Sequence, residues 1–77
     1  KLGVELSDSP GGGALVQRTL PGTPADEALH KGDVILEVNR KPVANAAEAA
    51  KALDAAASPI LVKVKRGDTT RFVAIER

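Results

Sequence analysis

The sequence contains no cysteine, methionine, tryptophan or tyrosine, and its only aromatic side chain is Phe72. Without cysteine there is no disulfide, no thiolate zinc site and no thiol nucleophile, although the compartment stays open because many extracytoplasmic domains also lack it. With aromatics at 1% of residues, the core has to be built from Val, Leu, Ile and Ala, and stacking platforms for single-stranded nucleic acid are missing. Charge of one sign is scarce as well: 11 Lys and Arg face 10 Asp and Glu, for a net charge of +1. Neutralising a phosphate backbone takes clustered cations, so a nucleic-acid partner is not expected. No apolar run approaches the ~20 residues of a membrane-spanning helix, so no membrane span is expected. The chain opens at Lys1 directly in an apolar pattern with no signal-like segment. The expectation is a piece of a longer protein whose targeting segment lies elsewhere.

Groups for catalysis are few. His30 is the only histidine, and the hydroxyls of Ser7, Ser9, Ser58 and scattered threonines are not set against a base and an orienting acid. A nucleophile needs such partners to act. The reading is therefore no catalytic residue, no metal ligand set and no cofactor. His30, placed near a predicted helix end, reads as a solvated group in the field of the helix dipole.

What is present is one small domain over residues 1–77, with 43% hydrophobic and 27% charged residues. A chain of this length buries only about 60% of its unfolded surface, so it folds alone with little stability to spare. Leu2 to Leu6 alternates, placing Leu2, Val4 and Leu6 on one face of a strand. Gly11-Gly12-Gly13 is a flexible turn; it leads into a strand and lacks the Lys-Ser/Thr of a phosphate cradle. Ala14 to Leu20 is a second strand closed by Pro21-Gly22. Thr23 as cap, Pro24 at the first helical position and Asp26 as capping-box acid open a short helix that Gly32 stops. Val34 to Val38 is a nearly continuous apolar run, expected to be buried on both sides, and Asn39 to Pro42 turns the chain. Asn45 caps a second helix over Ala46 to about Ala56, with Glu48 as reciprocal partner. Ile60, Val62 and Val64 alternate along a half-buried strand; Gly67-Asp68 is a tight turn into a return strand, Thr70 to Ile75. The sum is an α+β domain of five to six strands with two helices.

One tripeptide has binding chemistry. A glycine between apolar residues, as in Leu2-Gly3-Val4, lets consecutive N–H groups aim at one point and receive an anion such as a carboxylate. Taken alone, the tripeptide is better read as a twist or bulge at Gly3 in an ordinary strand.

The wider pattern includes Leu2-Gly3-Val4, Gly22-Thr23-Pro24-Ala25, Ala28-Leu29 and Gly32-Asp33-Val34-Ile35-Leu36-Glu37-Val38-Asn39. It continues through Val43, the Ala-rich helix ending in Leu53, and Val64-Lys65-Arg66-Gly67. Over essentially its whole length the chain resembles PDZ domains, with Thr23 where the pattern has Ser. The chain begins at the carboxylate loop, and the Thr70 to Ile75 strand would fill the place of the missing first strand. That permuted order resembles the domains that follow the trypsin-like catalytic domain in bacterial Do-like (HtrA-type) proteases. Leu6-Ser7-Asp8 and the Arg66-Gly67 turn followed by Arg71-Phe72-Val73 look most like the second, C-terminal one.

The resemblance implies a small, partly open barrel or sheet that takes peptides by strand addition, a mode for which PDZ domains are a standing example. A C-terminal or unfolded peptide segment with apolar end residues would lie antiparallel to Val4–Ser7. Its carboxylate would sit on the N–H groups of Leu2, Gly3 and Val4, with Lys1 adding charge. Leu2, Val4 and Leu6 would line the pocket with Ala50 and Leu53; Ala46, Ala50 and Leu53 share one helix face at i, i+4, i+7. The same stripe is also accounted for by simple core packing. Much of the family carries His at the position of Ala46, where it reads a Ser or Thr hydroxyl, so Ala46 implies a preference for apolar residues there. The resemblance further implies a parent serine protease and its other protomers as partners, and a periplasmic or otherwise extracytoplasmic location. Two alternatives remain beside it: a domain that assembles or gates the protease oligomer, and a parent among the intramembrane metalloproteases or C-terminal processing peptidases.

Overall fold

A computed structural model describes residues 3–76. In chain order the elements are β1 (Val4–Asp8), β2 (Ala14–Thr19), α1 (Pro24–Ala28), β3 (Val34–Val38), β4 (Lys41–Pro42), α2 (Ala46–Ala55), β5 (Ile60–Arg66) and β6 (Thr69–Ile75). The strands form one antiparallel sheet in the order β1-β2-β3-β5-β6, with β4 paired to β3. The sheet does not close, so β1 and β6 are its two edges. The α+β architecture of six strands and two helices is the one the sequence predicts.

Period-two alternation does most of the folding. Ile60, Val62 and Val64 of β5 are fully buried while Lys63 and Lys65 face outward, and β6 pairs with β5 from Ile60 opposite Ile75 to Arg66 opposite Thr69. Val16, Ile35 and Ile75 join them under Ala25, Leu29, Ala49 and Leu53 from the helical side. α2 starts as its cap requires: Asn45 Oδ1 accepts from Glu48 N at 2.9 Å. Glu48 Oε1 in turn accepts from Ala44 N at 2.9 Å, one residue upstream of a standard capping box.

Four local expectations are corrected. The β1 strand begins at Val4; Lys1 and Leu2 lie outside the described residues. Thr23 does not cap α1 with its side chain. Its hydroxyl donates to Leu20 O at 2.6 Å, and Asp26 accepts from the Thr19 hydroxyl at 2.7 Å. α1 ends at Ala28 because Leu29 turns to extended backbone and is buried in the core, which leaves His30 exposed outside the helix. β3 is not buried on both sides: only Ile35 and Val38 are, because a bulge between Ile35 and Glu37 in its pairing with β5 breaks the alternation.

Asn39 and Arg40 take positive φ, 51° and 69°, as both central residues of a type I′ two-residue hairpin do. Asparagine takes this conformation at less cost than arginine. Arg40→Gly is expected to raise stability by about 0.5–1 kcal/mol, checked by urea denaturation, since it relieves the Cβ clash of left-handed backbone.

Asp33 is the one buried charged side chain among the described residues, 1% exposed. Arg66 grips it with both forks, Nε donating to Oδ1 at 2.8 Å and Nη2 to Oδ2 at 2.7 Å. His30 N donates to Oδ2 at 3.0 Å. Burial by itself pushes the Asp33 carboxyl up, but the bonds from Arg66 and the His30 amide, with the Arg66 charge, outweigh it and hold the carboxyl below the usual carboxylate range. The pair joins the start of β3 to the end of β5, 33 residues apart.

Candidate functional site

β1 pairs only with β2 among the described residues, so its other side is an open strand edge. Which peptide groups face that edge follows from one bond. Leu20 N donates to Gly3 O at 2.7 Å, so the Gly3 carbonyl points toward the β2 side. In a trans peptide the carbonyl and the next N–H point in opposite directions, so the Val4 N–H is directed away from β2, toward the open edge. Gly3 itself has φ +82°, and a Cβ on it would run into the Thr23 side chain. A left-handed residue without a side chain is therefore required at the entry to β1. Thr23 is held in turn by its hydroxyl bond to Leu20 O. Gly3, Leu20 and Thr23 form one braced unit at the head of the strand.

The other wall is α2. Asp8, the last residue of β1, accepts from the first helical amide, Ala46 N, at 2.9 Å through Oδ1. This bond crosses 38 residues of sequence and pins the start of the helix to the end of the strand. The two elements therefore run antiparallel. They are fastened at the Asp8–Ala46 end and open at the other, where a cleft of about 370 Å³ lies between Gly3, Val4 and Leu6 on one side and Ala50 and Leu53 on the other. Val4 and Leu6 share a face of β1 and pack partly on the core; Leu53 is buried and Ala50 is exposed at the rim. Across the strand, Glu5 pairs with Arg18 at 2.7 Å and Ser7 Oγ accepts from Gln17 Nε2 at 2.6 Å, so the opposite face is polar.

The sequence-predicted residues divide accordingly. Gly3, Val4, Leu6, Ala50 and Leu53 meet around one cleft. Ala46 does not line it: it stands at the pinned end, partly packed on the core with its amide on Asp8. Leu2, expected to supply both an amide and a pocket side chain, lies outside the described residues, as does Lys1. Sequence reasoning missed Leu20, Glu5 and Asp54, which also line the cleft, and Asp8, which sets its far end. Leu20, 41% exposed, had a weak signal: an apolar residue left at the end of a strand, before Pro21-Gly22, with no core face to occupy. Asp8 had none, because its partner is remote in sequence.

Chemically the arrangement offers a hydrogen-bonding edge, an outward amide at its head and an apolar floor. Among the described residues no group of three His, Asp or Glu side chains is placed to hold a metal ion, and no helix is long and apolar enough to cross a membrane.

Comparison with known proteins gives a consistent picture. A family model described as "PDZ domain" matches residues 1–65. Periplasmic serine endoprotease DegP of Escherichia coli strain K12 is 38% identical over 65 residues, which cover 83% of this chain and 14% of that protein. DegP of Salmonella typhimurium is 35% identical over the same proportions. The chain thus spans about a seventh of the length of these relatives. Among solved structures, the HtrA3 PDZ domain bound to a phage-derived ligand, FGRWV, superposes with a TM-score of 0.87, covering 99% of this chain and 82% of that one at 24% identity, a likeness of fold.

Proposed function

The chain belongs to the PDZ domain family, and we propose that it is the non-catalytic, peptide-capturing unit of an extracytoplasmic serine protease of the DegP kind. The observation that supports this most is the open β1 edge with the Val4 N–H turned outward at the head of an apolar cleft. An extended peptide adds as a further antiparallel strand beside β1, and main-chain bonds supply affinity independent of sequence. Its terminal carboxylate is received by the N–H groups of Val4, Gly3 and Leu2, and its last side chain drops between Val4, Leu6, Ala50 and Leu53. The size of the cleft and its aliphatic lining select an aliphatic end residue; the ligand of the HtrA3 domain, FGRWV, ends in valine.

The affinity expected is modest. Ordering four or five peptide residues consumes much of the gain from a small buried patch, which leaves binding at about micromolar or weaker, near −8 kcal/mol. Weak, permissive capture suits substrate recognition for an attached protease. The resemblance to DegP favours that parent over the metalloprotease and processing-peptidase alternatives, and Leu6-Ser7-Asp8 with Arg71-Phe72-Val73 supports a second, C-terminal position.

The test is a calorimetric titration of this chain with a pentapeptide ending in free valine, beside the same peptide as its C-terminal amide. The acid is expected to bind, and the amide about tenfold more weakly or worse, the worth of a charge-assisted hydrogen bond. Equal affinities would remove the carboxylate role of the β1 head. A purely assembling domain is favoured by one feature, the sole aromatic Phe72, 57% exposed on the other open edge, β6. That reading predicts a cleft that takes neither peptide, so the same titration separates the two.

A further inference from the structure

The face of α2 turned away from the cleft carries a second recess. Ala50, Leu53 and Asp54 point to the cleft, whereas Glu48, Lys51, Ala52, Ala55 and Ala56 fall about half a helical turn around, toward the β3–β4 hairpin. Between helix and hairpin lies a space of about 440 Å³ walled by Val38, Ala52, Ala55 and Ala56, with Lys41 and Lys51 at its margins. Its frame is braced. Asn39 N donates to Leu61 O at 2.6 Å and Asn39 Oδ1 accepts from Leu61 N at 2.9 Å, fixing the hairpin to β5. Val43 N donates to Leu36 O at 3.1 Å, closing the hairpin's return.

The charges around this recess are unevenly committed. One oxygen of Glu48 accepts from the Ala44 amide. Lys41 and Lys51 take part in none of the ion pairs of the described residues, and both are exposed. An apolar, concave, preformed floor between two uncommitted ammonium groups is complementary to an aliphatic side chain flanked by carboxylates.

We propose that this recess is a second binding site, for an acidic, aliphatic protein segment that seats one Leu or Val side chain against Ala52, Ala55 and Ala56 and places a carboxylate near each of Lys41 and Lys51. The concavity favours an inserted side chain over a flat anionic membrane. The segment needs no free C-terminus, so the site stands apart from the β1 cleft and from the function proposed for it.

The test uses a blocked probe, acetyl-Glu-Leu-Leu-Asp-Glu-amide, titrated into the isotopically labelled chain at low salt. Saturable amide shifts are expected at Lys41, Lys51, Ala52 and Ala55, with Val4 to Leu6 unmoved. The Gln/Asn version of the probe, and the doubly substituted Lys41→Gln/Lys51→Gln chain with the original probe, are each expected to bind at least about fivefold more weakly, as is the original pair in 0.5 M salt. Both lysines are exposed, so the variant is expected to keep its fold, which its spectrum reports directly. Shifts confined to Val4–Leu6, no saturable shifts, indifference to the lysine substitutions, or binding of anionic phosphatidylserine vesicles without any response to the peptide would each overturn the proposal.

Discussion

Gly3→Ala is expected to weaken binding of a free C-terminal peptide by about tenfold to a hundredfold, the range for loss of a hydrogen bond to a charged group. The reason is local and double. At φ +82° an added Cβ is strained by about 1–2 kcal/mol whatever surrounds it. Here it also meets the side chain of Thr23, which cannot withdraw freely because its hydroxyl is bonded to Leu20 O. Either adjustment disturbs the Leu20 N to Gly3 O bond, and that bond is what aims the Val4 N–H at the open edge. Isothermal titration reads the loss. A matched control is Gly12→Ala, which has φ +99° but open space around it and no part in the cleft. It carries the same backbone strain and should leave affinity unchanged. If Gly3→Ala binds as tightly as the parent, the head of β1 does not receive the carboxylate.

The second large effect concerns stability. Removing the guanidinium by Arg66→Ala leaves the Asp33 carboxylate buried without its counter-ion, a change that costs about 3–5 kcal/mol in comparable pairs. A domain of this size starts near the lower end of the 5–15 kcal/mol range, so the variant is expected to keep at most about 2 kcal/mol and to be partly unfolded at 37 °C. Arg66→Lys keeps the charge but not the two-pronged geometry and should fall between the two. Circular dichroism with urea titration measures all three.

The same pair gives the parent a definite acid sensitivity. The folded carboxyl of Asp33 lies below its ordinary value, and an unfolded Asp titrates near ~3.9. The stabilisation is therefore complete above about pH 4 and is lost as the pH falls through the depressed folded value, where the folded protein must take up a proton. In Arg66→Ala burial still pushes the carboxyl up and the His30 amide still opposes it, but the bonds and charge of Arg66 that hold it down are gone. Its stability should therefore fall less on acidification, and the gap to the parent should narrow at low pH. Parallel curves of stability against pH for the two proteins would show that Asp33 is not the group responsible.

That ion pair also shows where sequence reasoning stopped. Asp33 and Arg66 were both visible as parts of a family pattern, Gly32-Asp33-Val34-Ile35 and Val64-Lys65-Arg66-Gly67, but nothing in either segment pairs them. Pairing required β3 and β5 to be neighbours, with Val34 opposite Lys65. The cleft repeats the lesson. Val4 with Leu6 and Ala50 with Leu53 are legible as two faces because a strand alternates with period two and a helix repeats near four, whereas Gly3 and the pairing of the two faces into a groove come from the resemblance. Ala46 satisfied the same helical spacing and still fell outside, since Asp8 ties that end of the helix to β1.

Thus the sequence by itself determined the local elements: the alternation in β1 and β5, the Asn45 cap and the glycine turns between strands. These rest on forces acting within about four residues, which a linear pattern carries in full. Only the tertiary structure decided that β1 is an edge, that Val4 directs its amide outward, that Leu20 flanks the cleft and that Arg66 answers Asp33. Each depends on which segments lie side by side after folding, and the burial that brings them together is non-directional, so it leaves no local mark on the chain.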